Sequence, residues 1–522
     1  MGRTTYQADF AERLRALKER SGRSYQALGK RCGVSSSTLH RYCTGAGVPA
    51  EFLLVNRFGR ACGASGEELA ELRRLWMFAL VRPEPEPTVG TPGRRSFGWR
   101  TPVGVAAVVL LTLGLVAASR PVTPTVRQTG ASPVPMWTDK PIGVGREFVG
   151  VTKNSTAREM PGFGVGAVRL WNSGTRWEKL EPERGRFEWF RLDRLVEPAR
   201  EAGVPVLFTL GGTPAWASPN GPETVFGDGS RTSPPDDLDD WDRFVGELAR
   251  VYRGRIDAYE LWDAANHQRG YSGSVETMVA MTERAARVIK AADPAAEVVC
   301  PGMAELWEPQ ALRWQERFAE LGGYQHCDVL GVKLHQRWSA DPPERMLKLA
   351  TEIDRTLYRA GVPKMPRWNM GQGFATGVEE RLDPELAADH AVRFYLVSLY
   401  AEYTRVYFYN WGSDRIPIVL QPSGGTPTRA ARHVDELGSW LRGARNTFCG
   451  YGAKLGLPDH VWQCGFTKDG TRFQIVWTDG PAVPLTSPQG VEAVEVIDGE
   501  RRPEPPGGSV EITGRPVVLR LT

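Results

Sequence analysis

Apolar residues along the chain recur with three different periods, and each period predicts a different kind of element. Over residues 9–20, Phe10, Leu14 and Leu17 fall on one face at helical spacing, and this character continues to about residue 80 as five or so short helices. Over residues 101–119 the sequence TPVGVAAVVLLTLGLVAAS has neither a charge nor a polar face. From about residue 136, short β-type runs alternate with helical stretches, the signature of parallel βα units. The expected strands are 148–152, 167–171, 204–210, 258–262, 297–300, 329–334, 367–369 and 406–411, the eight of a (β/α)8 barrel. After residue 446 come shorter alternating runs (461–465, 473–477, 491–496 and 516–521) between Gly, Pro and Asp turns, which suit a small β-sandwich.

The uncharged run is close to the roughly 20 residues a helix needs to cross the hydrocarbon layer. It predicts a single transmembrane helix rather than a cleaved signal, since about a hundred residues with their own periodicity precede it. Arg94, Arg95 and Arg100 stand before it, and Arg120 and Arg127 after it. That bias favours an N-terminus inside and C-terminal domains outside. The predicted organisation is a multidomain chain: 1–80 an all-α helix-turn-helix head, 81–100 a Pro-rich cytoplasmic linker and 101–119 the membrane helix. An extracytoplasmic linker follows at 120–137, then the TIM barrel at 138–445 and the β-sandwich at 446–522.

Within the head, Ser24 to Tyr42 reads as two short helices around a tight turn. Gly29 permits close approach of the helices, Gly33 makes the turn, and Ser35 or Ser36 caps the second helix. Leu28, Val34, Leu39 and Tyr42 form the expected interior. That leaves Ser36, Ser37, Thr38, His40 and Arg41 exposed to reach bases and phosphates in a major groove. The segment resembles the Cro/repressor-type (XRE-like) helix-turn-helix domains, through Ser37 to Tyr42 followed by Gly45 or Gly47 and Pro49. Residues 1–100 hold 17 Lys/Arg against 9 Asp/Glu, a basic block that fits a polyanion. The resemblance therefore implies DNA as a partner; some members of this fold instead hold a protein.

Two further segments carry the barrel's chemistry. The first is Tyr259-Glu260-Leu261-Trp262-Asp263-Ala264-Ala265-Asn266 and the second Arg367-Trp368-Asn369-Met370-Gly371-Gln372-Gly373. They resemble the signature segments of retaining (β/α)8 glycosidases of the β-xylosidase/α-iduronidase type, which read Trp-Asn-Glu-Pro-Asn and roughly Trp-x-Thr-Glu-x-Gly. The resemblance places the acid/base at Ala264 and the nucleophile at Gly371, so both catalytic glutamates are missing. Retaining hydrolysis needs two carboxyls about 5–5.5 Å apart. Asp263 is the weak remaining candidate, able at best to assist water in an inverting scheme, while Glu260 and Glu181 read as structural. The sugar-facing wall is better kept. Trp171, Trp216, Trp262, Trp368 and Trp411 could stack on a pyranose, and Arg169, Asp263, Asn266, His335 and Asn369 could hydrogen-bond hydroxyls; rim packing is the alternative for each Trp and for His335.

The seven cysteines (Cys32, Cys43, Cys62, Cys300, Cys327, Cys449 and Cys464) lack metal-ligand spacing, and neither a metal nor a cofactor is expected. Cys449 and Cys464 could bridge two strands in an oxidising compartment; two buried thiols is the alternative. Together these features predict a membrane-anchored regulator, a DNA-binding head coupled to a catalytically dead glycosidase-like domain that senses a glycan or sugar, with homodimerisation as its natural switch. The alternatives are a membrane-tethered hydrolase with relocated catalytic residues, or a scaffold linking wall glycan to an internal partner.

Overall fold

In the head, apolar spacing translates directly into helices. The computed structural model describes residues 2–76 and 142–522, excepting 50–51, 66–67, 70–71, 73–74, 373–380, 415, 487–489, 501–502, 504 and 506. The described residues of the head include the helices α1 (Gly2–Ser21), α2 (Tyr25–Cys32), α3 (Ser36–Cys43) and α4 (Phe52–Ala61). Phe10, Leu14 and Leu17 are buried as their spacing requires, with Leu28, Leu39, Val55 and Phe58. Val34 and Tyr42, expected inside, are only half-buried. The side chain of Ser24 caps α2 by accepting from Ala27 N, and that of Ser35 caps α3 by accepting from Thr38 N. Gly33 ends α2 in the left-handed conformation at φ 73°. A Cβ on Gly29 would stand 2.7 Å from the Val34 carbonyl oxygen, so a side chain there would push the two helices apart.

The second pattern closes into a barrel. Its strands are β1 (Val149–Lys153), β2 (Ala167–Leu170), β3 (Val206–Thr209), β4 (Ala258–Glu260), β5 (Glu297–Val299), β6 (Leu330–Val332), β7 (Arg367–Asn369) and β8 (Arg405–Trp411). All pair in parallel, in the order β5-β4-β3-β2-β1-β8-β7-β6. Between β5 and β6 the ring is completed only by the isolated bridges Val299↔Val329 and Met303↔Val332. Helices follow every strand but the first: α5 (Phe190–Glu201), α6 (Leu238–Val251), α7 (Val275–Ala292), α8 (Pro309–Glu320), α9 (Met346–Arg359), α10 (Pro384–Tyr400) and α11 (Arg429–Leu441).

Strand alternation decides what fills the lumen. One buried cluster holds Ala167, Leu207, Ala258, Val299, Val329, Trp368, Met370 and Tyr407. Two residues further along β2, β3 and β4 the inward positions are Arg169, Thr209 and Glu260, all buried. An apolar layer thus supports a polar one toward the C-terminal ends of the strands, the end at which such barrels build their sites.

The last strands are β9 (Arg445–Tyr451), β10 (Val461–Lys468), β11 (Thr471–Thr478), β12 (Val483–Thr486), β13 (Val491–Val496), β14 (Ser509–Ile512) and β15 (Val517–Leu521). They form an antiparallel sheet in the order β9-β10-β11-β15-β13, extended at the β9 edge by the short strand Ile142–Gly143, and a separate ribbon β12-β14. Sheet and ribbon enclose Val461, Val476, Ile512, Val517 and Leu519. Disulfides join Cys449 to Cys464, paired directly across β9 and β10, and Cys300 to Cys327. The first was one of two readings left open by the sequence; the second had no local signal. Cys32, Cys43 and Cys62 are buried free thiols. The chain divides into two compact units, Met1–Ala131 and Ser132–Thr522.

One expectation is corrected. Among the described residues no helix is long and apolar enough to cross a membrane. The span expected at 101–119 lies outside the described residues, as do the linkers 81–100 and 120–137. The expectation rested on the length of an uncharged run without a polar face and on the arginines that flank it. The single transmembrane helix, the membrane as a partner, and the single-pass localisation with a cytoplasmic N-terminus and extracytoplasmic C-terminal domains are set aside with it.

Candidate functional site

The polar layer of the lumen is a single ion-pair network. Arg169, fully buried, donates from Nε to Glu260 Oε2 at 2.7 Å and from a terminal nitrogen to Asp263 Oδ1 at 2.6 Å. Thr209 Oγ1 donates to the same Glu260 oxygen at 2.6 Å. Lys333, just past β6, places its ammonium 2.8 Å from Asp263 Oδ1 and 2.9 Å from Oδ2. Burial alone would raise the pKa of Asp263, but Lys333 and Arg169 hold it below the ordinary carboxylate value. Glu260 moves the other way: burial pushes it up, against the pull of Arg169. Its carboxylate is accommodated against Gly302, where a Cβ would collide with Oε1.

The two signature positions differ in kind. Ala264 is half-exposed and sits at φ 52°, a left-handed conformation unusual for a residue with a Cβ. Gly371, at φ 99°, has no room for a side chain. A Cβ there would stand 2.5 Å from the Tyr407 carbonyl oxygen and 3.0 Å from both N and Cβ of Tyr409. Its neighbour Gln372 is buried and accepts from Tyr409 N at 2.8 Å.

Around this floor, the residues expected in the wall divide into two sets. Arg169 and Asp263 meet in the lumen network, whereas Trp171 is buried edge-on to Phe226 with the Arg176 guanidinium 5.0 Å from its ring. Asn172 donates to the Tyr409 hydroxyl at 3.2 Å, bridging the end of β2 to β8. Trp262 is buried, with its indole N–H on Gly270 O, and Trp411 is buried with its N–H on Gln421 Oε1. Trp368 lies in the apolar layer below. Trp216 packs edge-on to Trp177 and donates to Glu181 O.

Asn369 has every hydrogen-bonding group engaged. Its amide donates to Leu334 O and Ser398 Oγ, and its oxygen accepts from Leu334 N and Gly371 N. Asn266 is tied to both backbone groups of Ala304. His335 is buried, with Nδ1 2.7 Å from Gln336 O. Sequence reading overlooked Lys333, Tyr409 and Arg176, because nothing local separates an inward lysine from a solvated one.

A cavity of ≈ 280 Å³ opens at the opposite end of the barrel, where β6 and β7 begin, among Leu330, Leu347, Leu357, Val362 and Arg367. Neither Ala264 nor Gly371 lines it.

In the head, Ser36, Ser37, His40 and Arg41 are exposed on α3, and Thr38 is half-buried. Ser37 and Thr38 both direct their hydroxyls to the capping Ser35 Oγ at 2.8 Å. His40 packs edge-on to Tyr25 of α2. One helix face therefore offers hydroxyls, an imidazole and a guanidinium together.

A helix-turn-helix domain model matches residues 9–72, and a beta-galactosidase family model matches residues 151–235. No curated protein matches the sequence significantly. Among solved structures, the chain is similar to a family 39 glycoside hydrolase from the gut symbiont Bacteroides cellulosilyticus WH2. The identity is 16%, over 69% of this chain and 76% of that one, with a TM-score of 0.53. A GH39 beta-xylosidase from Caulobacter crescentus aligns at 13% identity over 73% and 98%, with a TM-score of 0.52. The GH39 enzyme from Xanthomonas axonopodis pv. citri aligns at 15% over 76% and 99%, also at 0.52. The likeness establishes the fold: a helix-turn-helix head and a glycosidase-like (β/α)8 barrel share one chain.

Proposed function

We propose that this chain is a DNA-binding regulator whose glycosidase-like barrel binds a carbohydrate and leaves it intact. The observation that carries the reading is Gly371, where the nucleophile position has neither a carboxylate nor space for one. At Ala264 no proton donor exists, and general acid catalysis is worth about 10²–10⁴ in rate. Asp263 does not replace it. Clamped between Lys333 and Arg169, it stays ionised and cannot donate a proton, and its depressed pKa makes it a poor base.

What remains is a binding site. Asp263, Lys333, Asn172 and Tyr409 offer polar groups at the lumen mouth, and Trp171 gives an apolar wall beside them. On the other unit, Ser36, Ser37, Thr38, His40 and Arg41 contact DNA, with Arg41 on phosphate or base. The working units in this reading are 1–80, 138–445 and 446–522. Sugar occupancy is read out by pairing two heads on one operator, through the gain in effective concentration.

The test is direct: titrate the full chain with a panel of glycans, assay turnover of nitrophenyl glycosides, and measure retention of operator DNA with and without sugar. Binding without turnover, together with a sugar-dependent change in DNA retention, is expected. Turnover abolished by Asp263→Ala would replace the reading with a hydrolase.

A further inference from the structure

Beyond the ion-pair floor, the loop after β3 carries an aromatic side chain out to solvent. Val225 is 66% exposed and Phe226 41% exposed at its tip. Single exposed apolar residues are ordinary, but this one is held in place. The Arg176 guanidinium lies 3.5 Å from the Phe226 ring centroid and 5.0 Å from that of Trp171, and the two rings meet edge-on at 6.0 Å. Arg176 is itself buried and fixed, by Asp228 at 2.5 Å and by the Asn172 oxygen.

Asp228 in turn ties the loop to itself, accepting from Ser230 N, Ser230 Oγ and Thr224 Oγ1. Asn172 continues to the Tyr409 hydroxyl at the lumen mouth. A rigid, solvent-facing ring is therefore continuous with the floor of the site. Holding it there leaves apolar area in water, a cost of roughly 25 cal/mol per Å² that a ligand would recover on covering it.

We infer that Phe226 is an outer subsite, an aromatic platform for the C–H face of a second sugar residue, so that the ligand is an oligosaccharide or polysaccharide chain rather than a free monosaccharide. The inference rests on the barrel binding carbohydrate. A flat ring stacks on a pyranose through its apolar face without demanding particular hydroxyls. The platform therefore sets chain length, while the polar groups at the lumen mouth set sugar identity.

The experiment titrates the full chain, as wild type, Phe226→Ala and Phe226→Trp, against an array of neutral and acidic sugars. Each sugar is presented as the monosaccharide and as linear oligomers up to the hexasaccharide. Affinity is expected to rise with length for the wild type and for Phe226→Trp. Phe226→Ala should bind the monosaccharide unchanged and the longer chains about tenfold more weakly. Equal binding of long chains by Phe226→Ala and wild type, or no dependence on length in the wild type, overturns the platform and leaves the sugar site standing. Binding of none of the sugars by the wild type overturns the carbohydrate reading itself.

Discussion

The carbonyl oxygen of Tyr407 stands 2.5 Å from the point that a Cβ on Gly371 would occupy. Restoring a glutamate there therefore cannot rebuild a nucleophile as a simple replacement; β8 would have to move first. Gly371→Ala and Gly371→Glu are each expected to lower stability by about 2–4 kcal/mol, from steric overlap and an unfavourable positive φ. Ala264→Glu, at a half-exposed position, should be tolerated. The double variant Ala264→Glu, Gly371→Glu should show no glycosidase turnover. Thermal unfolding and a nitrophenyl glycoside assay check both statements, and a stable, active Gly371→Glu protein would refute them.

Asp263 is held by two cations, so its removal is expected to hurt more than the loss of one contact. Asp263→Ala leaves Arg169 with Glu260 alone and Lys333 unpaired near the lumen. Breaking such a buried arrangement costs about 3–5 kcal/mol. Adding Lys333→Met should recover part of that loss. A double-mutant cycle in urea denaturation measures the coupling, and strict additivity would show that the pair does not interact.

Acid should weaken the barrel unit through two histidines. His390 and His433 are buried, and burial holds each imidazole at a pKa of about 4, helped by Arg393 for the first and by Arg515 and Arg429 for the second. Once unfolded, both would protonate near about 6.5. The unfolded chain therefore binds more protons between these values. Stability is full above about pH 6.5 and is lost as the pH falls toward about 4, by up to about 1.4 kcal/mol per pH unit for each histidine. Neither ring nitrogen of His433 has a hydrogen-bond partner among the described residues. His433→Leu should therefore flatten the acid limb measured by urea midpoints, and an unchanged limb would rule His433 out as a contributor.

DNA retention should depend on the exposed face of α3. Arg41→Ala is expected to weaken binding and to reduce the slope of log affinity against log salt by about one if Arg41 meets a phosphate. His40→Ala should change sequence preference more than salt dependence if it meets a base. Gly29→Ala should instead unfold the head, because its Cβ would press on the Val34 carbonyl. Salt-dependent electrophoretic shifts and circular dichroism separate the two cases. Unchanged retention in Arg41→Ala would favour a protein partner for the head.

The architecture was largely legible because it is written in local patterns. Phe10, Leu14 and Leu17 mark a helix face, Gly29 and Gly33 mark a tight turn, and each of the eight barrel strands overlaps a short β-type run. Of the candidate wall residues, Arg169 and Asp263 were read at their strand ends and meet in the lumen network, but others face elsewhere. Which way a residue near a strand end faces depends on the register around the ring. Trp368 therefore proved to be a packed lumen residue, and Asn369 a fully engaged cross-link between strands and helix. Lys333 and Phe226 sit where no motif points, one beyond β6 and one on a long loop. The membrane helix was read from hydropathy over 101–119, which lies outside the described residues, and no described helix is long and apolar enough to cross a membrane.

The most direct test is recovery of the bound sugar. The full chain is immobilised and loaded with the oligosaccharide it binds best, and after prolonged incubation the eluted glycan is weighed by mass spectrometry. Because Gly371 has no room for a nucleophile and Asp263 is locked between Arg169 and Lys333, the glycan should elute at its input mass. Shorter fragments released by the wild-type chain would contradict the account.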